Sequence, residues 1–242
     1  MQLSIIVPTR DESQNVAELV RRIEGAAAVP PLAALEIEVI FVDDSRDGTP
    51  AEVARVAESS ALPISCVHRE KGHADSGGGL GGAVLVGAAR ARADSCLVMD
   101  GDLQHPPERI GALYERLLRG DVDLVLASRY AGDGDAAGLA GALRRGVSQA
   151  SILLTKALFP RRLHGCTDPM TGFFVFDRRR IDLAALRPQG FKILLEMLVR
   201  QPLVFAEVPF EFGDRYAGRS KASLPQGWHF LLQLLRLRFS RR

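Results

Sequence analysis

Val98-Met99-Asp100-Gly101-Asp102-Leu103-Gln104-His105-Pro106-Pro107-Glu108 carries an apolar run, begun at Ser95, into two carboxylates separated by one glycine. A short, nearly continuous apolar run is what a strand needs when both faces of its sheet are covered. The prolines that follow, with Glu108 in the first turn, suit a helix N-terminus. The stretch therefore reads as strand, acidic turn, helix. That puts Asp100 and Asp102 at the carboxyl end of a strand, where open α/β sheets bind their ligands. Hard oxygen ligands at that point suit Mg2+ or Mn2+ holding a diphosphate, and an Asp-Gly turn is the plain structural alternative.

The same rhythm extends outward in both directions. Strands are expected at Leu3 to Val7, Glu36 to Val42, Ile64 to His68, Ser95 to Met99 and Asp123 to Ala127, with helical spacing between them at Asn15 to Glu24, Pro50 to Glu58, Gly82 to Ala93 and Pro106 to Leu118. Alternation of this kind predicts an α/β fold, a doubly wound, mostly parallel sheet flanked by helices. Beyond Arg129 the pattern changes to a Gly/Asp-rich loop (Ala131 to Gly138), a long helix (Leu139 to Phe159), a strand (Phe173 to Phe176), a helix (Phe191 to Arg200) and a strand (Val204 to Phe212). No linker interrupts the chain, so residues 1–223 read as one domain and 224–242 as an amphipathic C-terminal helix. The run Arg178-Arg179-Arg180 reads as a solvated turn after a strand.

Composition narrows the function. The chain has 242 residues, and Lys+Arg 31 against Asp+Glu 29 leaves a net charge of +2, too balanced for a protein that grips nucleic acid by bulk charge. Cys66, Cys96 and Cys166 are odd in number and form no CxxC pair, which argues against a disulfide framework and a zinc cluster and for a reducing cytoplasm. The start, MQLSIIVPTRDE, lacks a basic n-region and reads as a buried strand, and no stretch is long and apolar enough to span a bilayer.

Two further strand ends are polar. Phe41-Val42-Asp43-Asp44-Ser45-Arg46-Asp47-Gly48-Thr49 places acids where they can accept hydrogen bonds from base or ribose groups, with Asp47 or Thr49 expected to cap the next helix. The first strand ends in Pro8-Thr9-Arg10-Asp11-Glu12, so three neighbouring strands offer polar tips to one rim. Gly77, Gly79 and Gly82 satisfy GxGxxG but lie after the third strand, outside the first βα turn where a dinucleotide fingerprint belongs; Lys71 to Gly82 reads as a mobile loop that either closes over a ligand or simply crosses the surface.

The segments VPTRDESQN, DDSRDGT, GGGLGGAVLVGAARA, MDGDLQHPPE, LASRY, DPMTGFFVF, FKILLE and RYAGRSKASL stand in the order and approximate spacing of family 2 glycosyltransferases. Together they most resemble the polyprenyl (dolichyl) phosphate mannose synthases, from about Leu3 to Leu224. Arg10-Asp11 departs from the usual Tyr-Asn of that family. The resemblance implies a GT-A fold and a Mg2+ or Mn2+ held by Asp100, Asp102 and Gln104, with Asp102, Arg129 and Lys221 serving catalysis. It also implies a nucleotide-sugar donor lying against Pro8, Thr9, Arg10, Glu12, Asp43, Asp44 and Asp100. A polyprenyl phosphate acceptor would be met by Arg129, Arg144 or Arg145, Arg215, Ser220 and Lys221. The implied reaction is inverting transfer of a hexose, mannose from GDP-mannose first and a UDP-sugar such as UDP-glucose second.

Such a reaction needs no general base, because a lipid monophosphate with a second pKa near 6 is already an anionic nucleophile. It needs cations on two phosphates instead. A hydroxyl acceptor would require a base, for which Asp168 or Glu196 is the candidate. The remote rivals are a DxD phosphohydrolase and a non-catalytic protein on the same fold. The family's membrane-spanning tail is absent from this sequence, so the chain reads either as a tailless member or as a truncated piece of a longer one, and it is expected at the cytoplasmic face of a membrane as a peripheral protein, with room for a separate membrane-protein subunit. Trp228, Leu231, Leu232, Leu235 and Phe239 make the apolar face of the last helix, widened by Phe230, Leu234 and Leu237. His229, Gln233, Arg236 and Ser240 make its polar strip, and Arg238, Arg241 and Arg242 add charge. Packing of that face on the domain or on a twin subunit is the alternative.

Overall fold

The apolar runs form strands β1 (Leu3–Thr9), β2 (Ile37–Asp43), β3 (Ile64–His68), β4 (Ser95–Val98), β5 (Leu124–Ser128), β6 (Phe174–Asp177) and β7 (Phe205–Pro209) in a computed structural model. It describes residues 1–70, 77–135, 142–188, 190, 192–217 and 224–239, with side chains omitted for 142–145, 224–226, 228 and 229. The strands make one sheet in the order β3-β2-β1-β4-β6-β5-β7. β1 to β4 run parallel, Ile6 facing Val98 and Thr9 facing Asp43 in register. β6 is antiparallel to β4 and β5, and β7 returns to the parallel direction beside β5. The reversal of β6 brings its beginning, not its end, to the rim where β1, β2, β4 and β5 finish.

Alternation along the strands fills two cores. Ile6, Ile40, Val42, Val98, Leu126 and Phe174 face one layer, and Ile5, Val39, Phe41, Leu97, Val125 and Phe173 the other. Helices α1 (Ser13–Ala27), α2 (Thr49–Ala57) and α4 (Ile110–Leu118) cover the second layer, and α3 (Gly79–Arg90), α5 (Ala142–Leu158), α6 (Ile193–Arg200) and α7 (Leu224–Phe239) the first. The glycines of α3 serve closeness: a Cβ on Gly87 would stand 2.4 Å from Ile6 Cγ2, so only glycine lets the helix sit this near β1.

Several boundaries differ from the sequence reading. The helix expected from Pro106 is a 3-10 turn, Pro107–Arg109, before α4 begins. α3 starts at Gly79, three residues early, because Gly78 at φ +78° makes the turn that opens it; residues 71–76 of the expected loop lie outside the described residues. Neither Asp47 nor Thr49 is the cap of α2: Gly48 takes that position without a side-chain bond, and Asp47 accepts the Thr49 N–H at 3.0 Å just ahead of it. Arg178-Arg179-Arg180 is not merely solvated. Arg178 donates to the Ala88 and Ala91 carbonyls at the end of α3, while Arg179 and Arg180 pair with Asp177, Asp94 and Asp123. The three cysteines are free thiols, and burial pushes Cys66 up to about 11.

On α7 the expected single apolar face divides. Phe230, Leu234 and Leu237 pack into the core with α5 and α6, and Gln233, expected on the polar strip, is buried and donates to the Lys192 carbonyl at 3.2 Å. Leu231, Leu235 and Phe239 point outward at 41%, 53% and 73% exposure. Among the described residues no helix is long and apolar enough to cross a membrane.

Candidate active site

The turn after β4 is built by Leu103, whose φ of +64° is left-handed. For a leucine that costs on the order of 1–2 kcal/mol, and it is offset because the side chain is 4% exposed within the core. The Gln104 N–H closes on Asp102 Oδ1 at 3.1 Å, and the Asp100 N–H donates to His105 Nδ1 at 3.0 Å. His105 is stacked on Phe173 with centroids 5.2 Å apart and edged by Phe210 and Phe212. Burial in this cage lowers its pKa to about 4, so it is neutral, and with Nδ1 accepting, the proton sits on Nε2. A histidine held below its unfolded pKa stabilises the fold fully above about pH 6.5, and loses that contribution as pH falls toward 4. Urea unfolding between pH 7 and 4.5 should show a steeper acid loss in wild type than in His105→Gln; equal slopes would remove His105 as the cause.

Asp100 and Asp102 are both raised above the ordinary carboxylate range. Burial is the main cause for each, and the Asp100 charge adds to it at Asp102. Asp102 is met by Arg215 at 2.6 Å, and Arg215 also approaches Glu12 at 3.6 Å and Gln104 Oε1 at 3.5 Å. The Asp100 carboxylate accepts no hydrogen bond among the described residues; neutral His105 lies 3.7 Å away. Two adjacent carboxylates that resist ionisation, one without a hydrogen-bond donor, beside an amide oxygen are a donor set that fits a hard divalent cation. No group of three His, Cys, Asp or Glu suited to a metal occurs among the described residues, so two carboxylates, Gln104 and substrate oxygens would complete that shell. Gly172 closes the back of the turn. A Cβ there would stand 3.0 and 3.1 Å from the Asp100 carboxylate oxygens and 3.2 Å from His105 Cε1. Gly172→Ala should therefore displace Asp100 by a few tenths of an ångström and lower kcat by about tenfold. Unchanged turnover would show that the Asp100 position is not critical.

Across the rim from the carboxylates, β5 ends in Ser128 and Arg129 follows it. Arg129 forms a fork on Asp168 at 2.7 and 2.9 Å, and its guanidinium lies over the Tyr130 and Phe212 rings at 5.5 and 5.2 Å. Burial opposes the charge of Arg129, but the hydrogen bonds it donates to Asp168 and the charge of that carboxylate outweigh it and raise the pKa. Asp168 is fully buried. Ser128 Oγ continues the network to Thr167, which is held by Glu207. Lys192, just ahead of α6, donates to the Met170 carbonyl at 2.7 Å. Burial, then Arg129, lowers its pKa to about 8, against the pull of Asp168 and Asp100. Sequence reasoning quoted Lys192 within FKILLE but gave it no part; a lone lysine before a helix carries no local signal of a site.

The donor-side residues are brought together at the ends of β1 and β2, though not all face outward. Asp43 is fully buried and takes Thr9 Oγ1 at 2.8 Å, both the N–H and the hydroxyl of Ser45, and His68 Nδ1 at 2.7 Å. These bonds tie the end of β2 to β1 and β3. Asp44 keeps 29% of its side chain exposed and is forked by buried Arg69, which also binds the Gly77 and Gly79 carbonyls. Glu12 takes the Asn15 amide at 2.6 Å, and Arg10 is exposed beside Pro8 and Thr9. The side chains of Arg144 and Arg145, and Ser220 and Lys221 entirely, lie outside the described residues. Glu196, the candidate base, is buried on α6 and held by Arg200 and the Arg187 N–H.

Comparison with known proteins gives consistent relatives. The family described as glycosyl transferase family 2 matches residues 4–182. The chain is 34% identical over 238 residues to the dolichol-phosphate mannosyltransferase of Pyrococcus furiosus, covering 98% of this chain but 64% of that protein. It thus spans just under two thirds of that relative. To the enzyme of the same description from Saccharomyces cerevisiae it is 35% identical, over 98% of this chain and 87% of the relative. Among solved structures, mannosyl-3-phosphoglycerate synthase from Rubrobacter xylanophilus superposes with a TM-score of 0.69 at 21% identity, over 99% of this chain and 74% of that one. Glucosyl-3-phosphoglycerate synthase from Mycobacterium tuberculosis, in complex with Mn2+, UDP and glucosyl-3-phosphoglycerate, does so with 0.67 at 23%, over 98% and 79%. At those identities the likeness is one of fold.

Proposed function

Given that this chain belongs to glycosyl transferase family 2, we propose that it transfers mannose from GDP-mannose to a polyprenyl phosphate, inverting the anomeric carbon and giving polyprenyl phosphate mannose. The observation that carries this reading is one rim with an acidic pair, Asp100 and Asp102, on one side and the buried Arg129 cation on the other. The names of the relatives at 34% and 35% identity point to mannose and to a polyprenyl phosphate acceptor, and GDP as the donor nucleotide is part of the proposal. Held by Asp100, Asp102 and Gln104, Mg2+ or Mn2+ would neutralise the leaving diphosphate. Pro8, Thr9, Arg10, Glu12 and Asp44 flank the nucleotide, and Asp43 keeps Thr9 in place. Arg129 receives the acceptor phosphate, with Arg144 or Arg145, Ser220 and Lys221 as further donors to it. Arg215, now on Asp102, is the cation free to turn to phosphate once that carboxylate is neutralised. A phosphate nucleophile suits the site better than a hydroxyl, because Asp168 is committed to Arg129 and Glu196 to Arg200 and Arg187.

The test is one assay with purified protein, Mg2+ or Mn2+, GDP-mannose and a panel of UDP-sugars including UDP-glucose, and a short polyprenyl phosphate. Mannose should pass from GDP-mannose into the organic phase. Transfer from UDP-glucose alone, or only to a water-soluble hydroxyl, would overturn the reading.

Residues 224–242 are proposed to rest on a lipid surface, at the cytoplasmic face, through Leu231, Leu235 and Phe239. Val147, Leu153 and Leu154 of α5 are likewise exposed, at 59%, 69% and 43%. Arg236 and Arg238 supply charge for anionic headgroups. Because Phe230, Leu234 and Leu237 are core residues, the variant to use is Leu231→Ser with Leu235→Ser, not truncation. It should lose co-sedimentation with anionic vesicles while melting as wild type; equal binding by both proteins would refute the surface.

A further inference from the structure

We infer that Glu207 is a positioning residue for the acceptor phosphate: from the edge strand β7 it fixes the two segments that carry the pair of Arg129 and Asp168. The inference rests on the proposed reaction and adds a residue to which that reaction assigns no part. Glu207 Oε1 accepts the Thr167 N–H and its Oε2 the Thr167 hydroxyl, both at 2.6 Å. Thr167 Oγ1 lies 2.5 Å from Ser128 Oγ, and Ser128 Oγ takes the Tyr130 N–H at 3.1 Å. The chain of bonds has one direction. Thr167 spends its only hydroxyl proton on the carboxylate, so Ser128 donates to Thr167 and keeps a lone pair for Tyr130. Glu207 thereby holds the residue before Asp168 and, through it, the residues on either side of Arg129.

The fork between Arg129 and Asp168 fixes those two side chains relative to each other. It fixes neither relative to the rim. Asp168 stands within residues 159–173, which connect α5 to β6 without a regular element. A side chain on such a connection keeps its place to within about 0.5 Å only when its neighbours are themselves held. β5 and β7 are paired from Leu124 to Ser128, with Glu207 in register with Leu126, so Ser128 and Glu207 belong to one frame and Thr167 is clamped to both. Edge strands turn charges to water when solubility is the only demand. Glu207 is half-buried and commits both oxygens to Thr167 instead. Bonds to a carboxylate are about twice as strong as neutral ones, and here they stand beside the carboxylate that holds Arg129. A guanidinium aimed at phosphate depends on that support, because a small rotation of the fork would carry it off the acceptor.

The test compares Glu207→Gln, Thr167→Val and Thr167→Ser in the full chain, with Mn2+, GDP-mannose and farnesyl phosphate. Gln keeps the shape of Glu207 without its charge, Val keeps the shape of Thr167 without its hydroxyl, and Ser retains that hydroxyl. KM for each substrate, kcat and melting are measured for all. The inference expects Gln and Val to raise KM for farnesyl phosphate by about tenfold with KM for GDP-mannose unchanged, and Ser to behave as wild type. Combining Glu207→Gln with Thr167→Val should be no worse than the worse single variant, because both act on the same bond. A purely anchoring role would lower melting and leave both KM values at wild type, or move both together, and either pattern overturns the inference. Should Glu207→Gln fail to fold, Thr167→Val against Thr167→Ser carries the same comparison. If wild type transfers mannose to farnesyl phosphate and every variant keeps its KM, Glu207 is wrongly assigned and the reaction stands. If wild type transfers none, the acceptor reading falls and the role of Glu207 with it.

Discussion

Asp100→Asn should reduce kcat by about 10²–10³-fold and melt no lower than wild type at neutral pH. Loss of activity follows from the carboxylate's proposed place on the cation that neutralises the leaving diphosphate. The stability result follows from the sign of its pKa shift. Burial raises Asp100 above its unfolded value, so the folded protein prefers the protonated form and ionisation at neutral pH works against folding. That cost is absent below the unfolded pKa and is complete once pH exceeds the folded one. Asparagine removes it, and because 34% of the side chain is exposed, solvent screens the effect to a rise of only about 1–2 °C. Asp102→Asn should lose the same activity without the thermal gain, because Arg215 then loses its partner at 2.6 Å. Turnover of either variant at the wild-type rate in chelator would dissolve the metal assignment. A fall of more than about 5 °C in Asp100→Asn would show the carboxylate to be structural.

What the sequence revealed and what it hid have separate physical causes. Apolar runs and their spacing report burial, so seven strands and the helices between them were legible. Burial carries no direction, however, and nothing in Phe173 to Phe176 says that this strand runs antiparallel. That reversal decides the site, since it delivers Asp168, Thr171 and Gly172 to the rim. Acid pairs at strand ends were legible as a group but not as individuals. Asp43 and Asp44 are neighbours in sequence, yet strand alternation turns the first inward to Thr9, Ser45 and His68 and leaves the second at the surface with Arg69. The last helix shows the same limit. Eight apolar positions on α7 gave a face, but only tertiary packing divides Phe230, Leu234 and Leu237 from Leu231 and Leu235. Lys192 gives no local signal because the carbonyl it binds, that of Met170, arrives from another part of the chain.

Arg129→Ala should destabilise the protein by about 3–5 kcal/mol as well as abolish transfer. Arg129 is 9% exposed, and Asp168, its partner, is 0% exposed. Removing the guanidinium leaves a carboxylate in the interior with no matching charge within the fork, and that uncompensated ion dominates the effect. For a chain of this size the fall in Tm is about 6–20 °C. Lysine at 129 keeps the charge but cannot make two parallel bonds or lie flat against Tyr130 and Phe212, so it should fall between wild type and alanine. Because instability by itself reduces activity, the informative variant removes both ions. Arg129→Met with Asp168→Leu fills the same space with apolar atoms and should melt far closer to wild type than Arg129→Ala, since a buried pair is often no more stabilising than a well-packed hydrophobic replacement. Transfer should remain lost in that double variant, measured well below every melting temperature, because the guanidinium proposed to receive the acceptor phosphate is gone. Recovery of transfer together with stability would reduce Arg129 to a packing role. Melting of Arg129→Ala within about 2 °C of wild type would mean that the pair is open in solution and that Asp168 is reached by water.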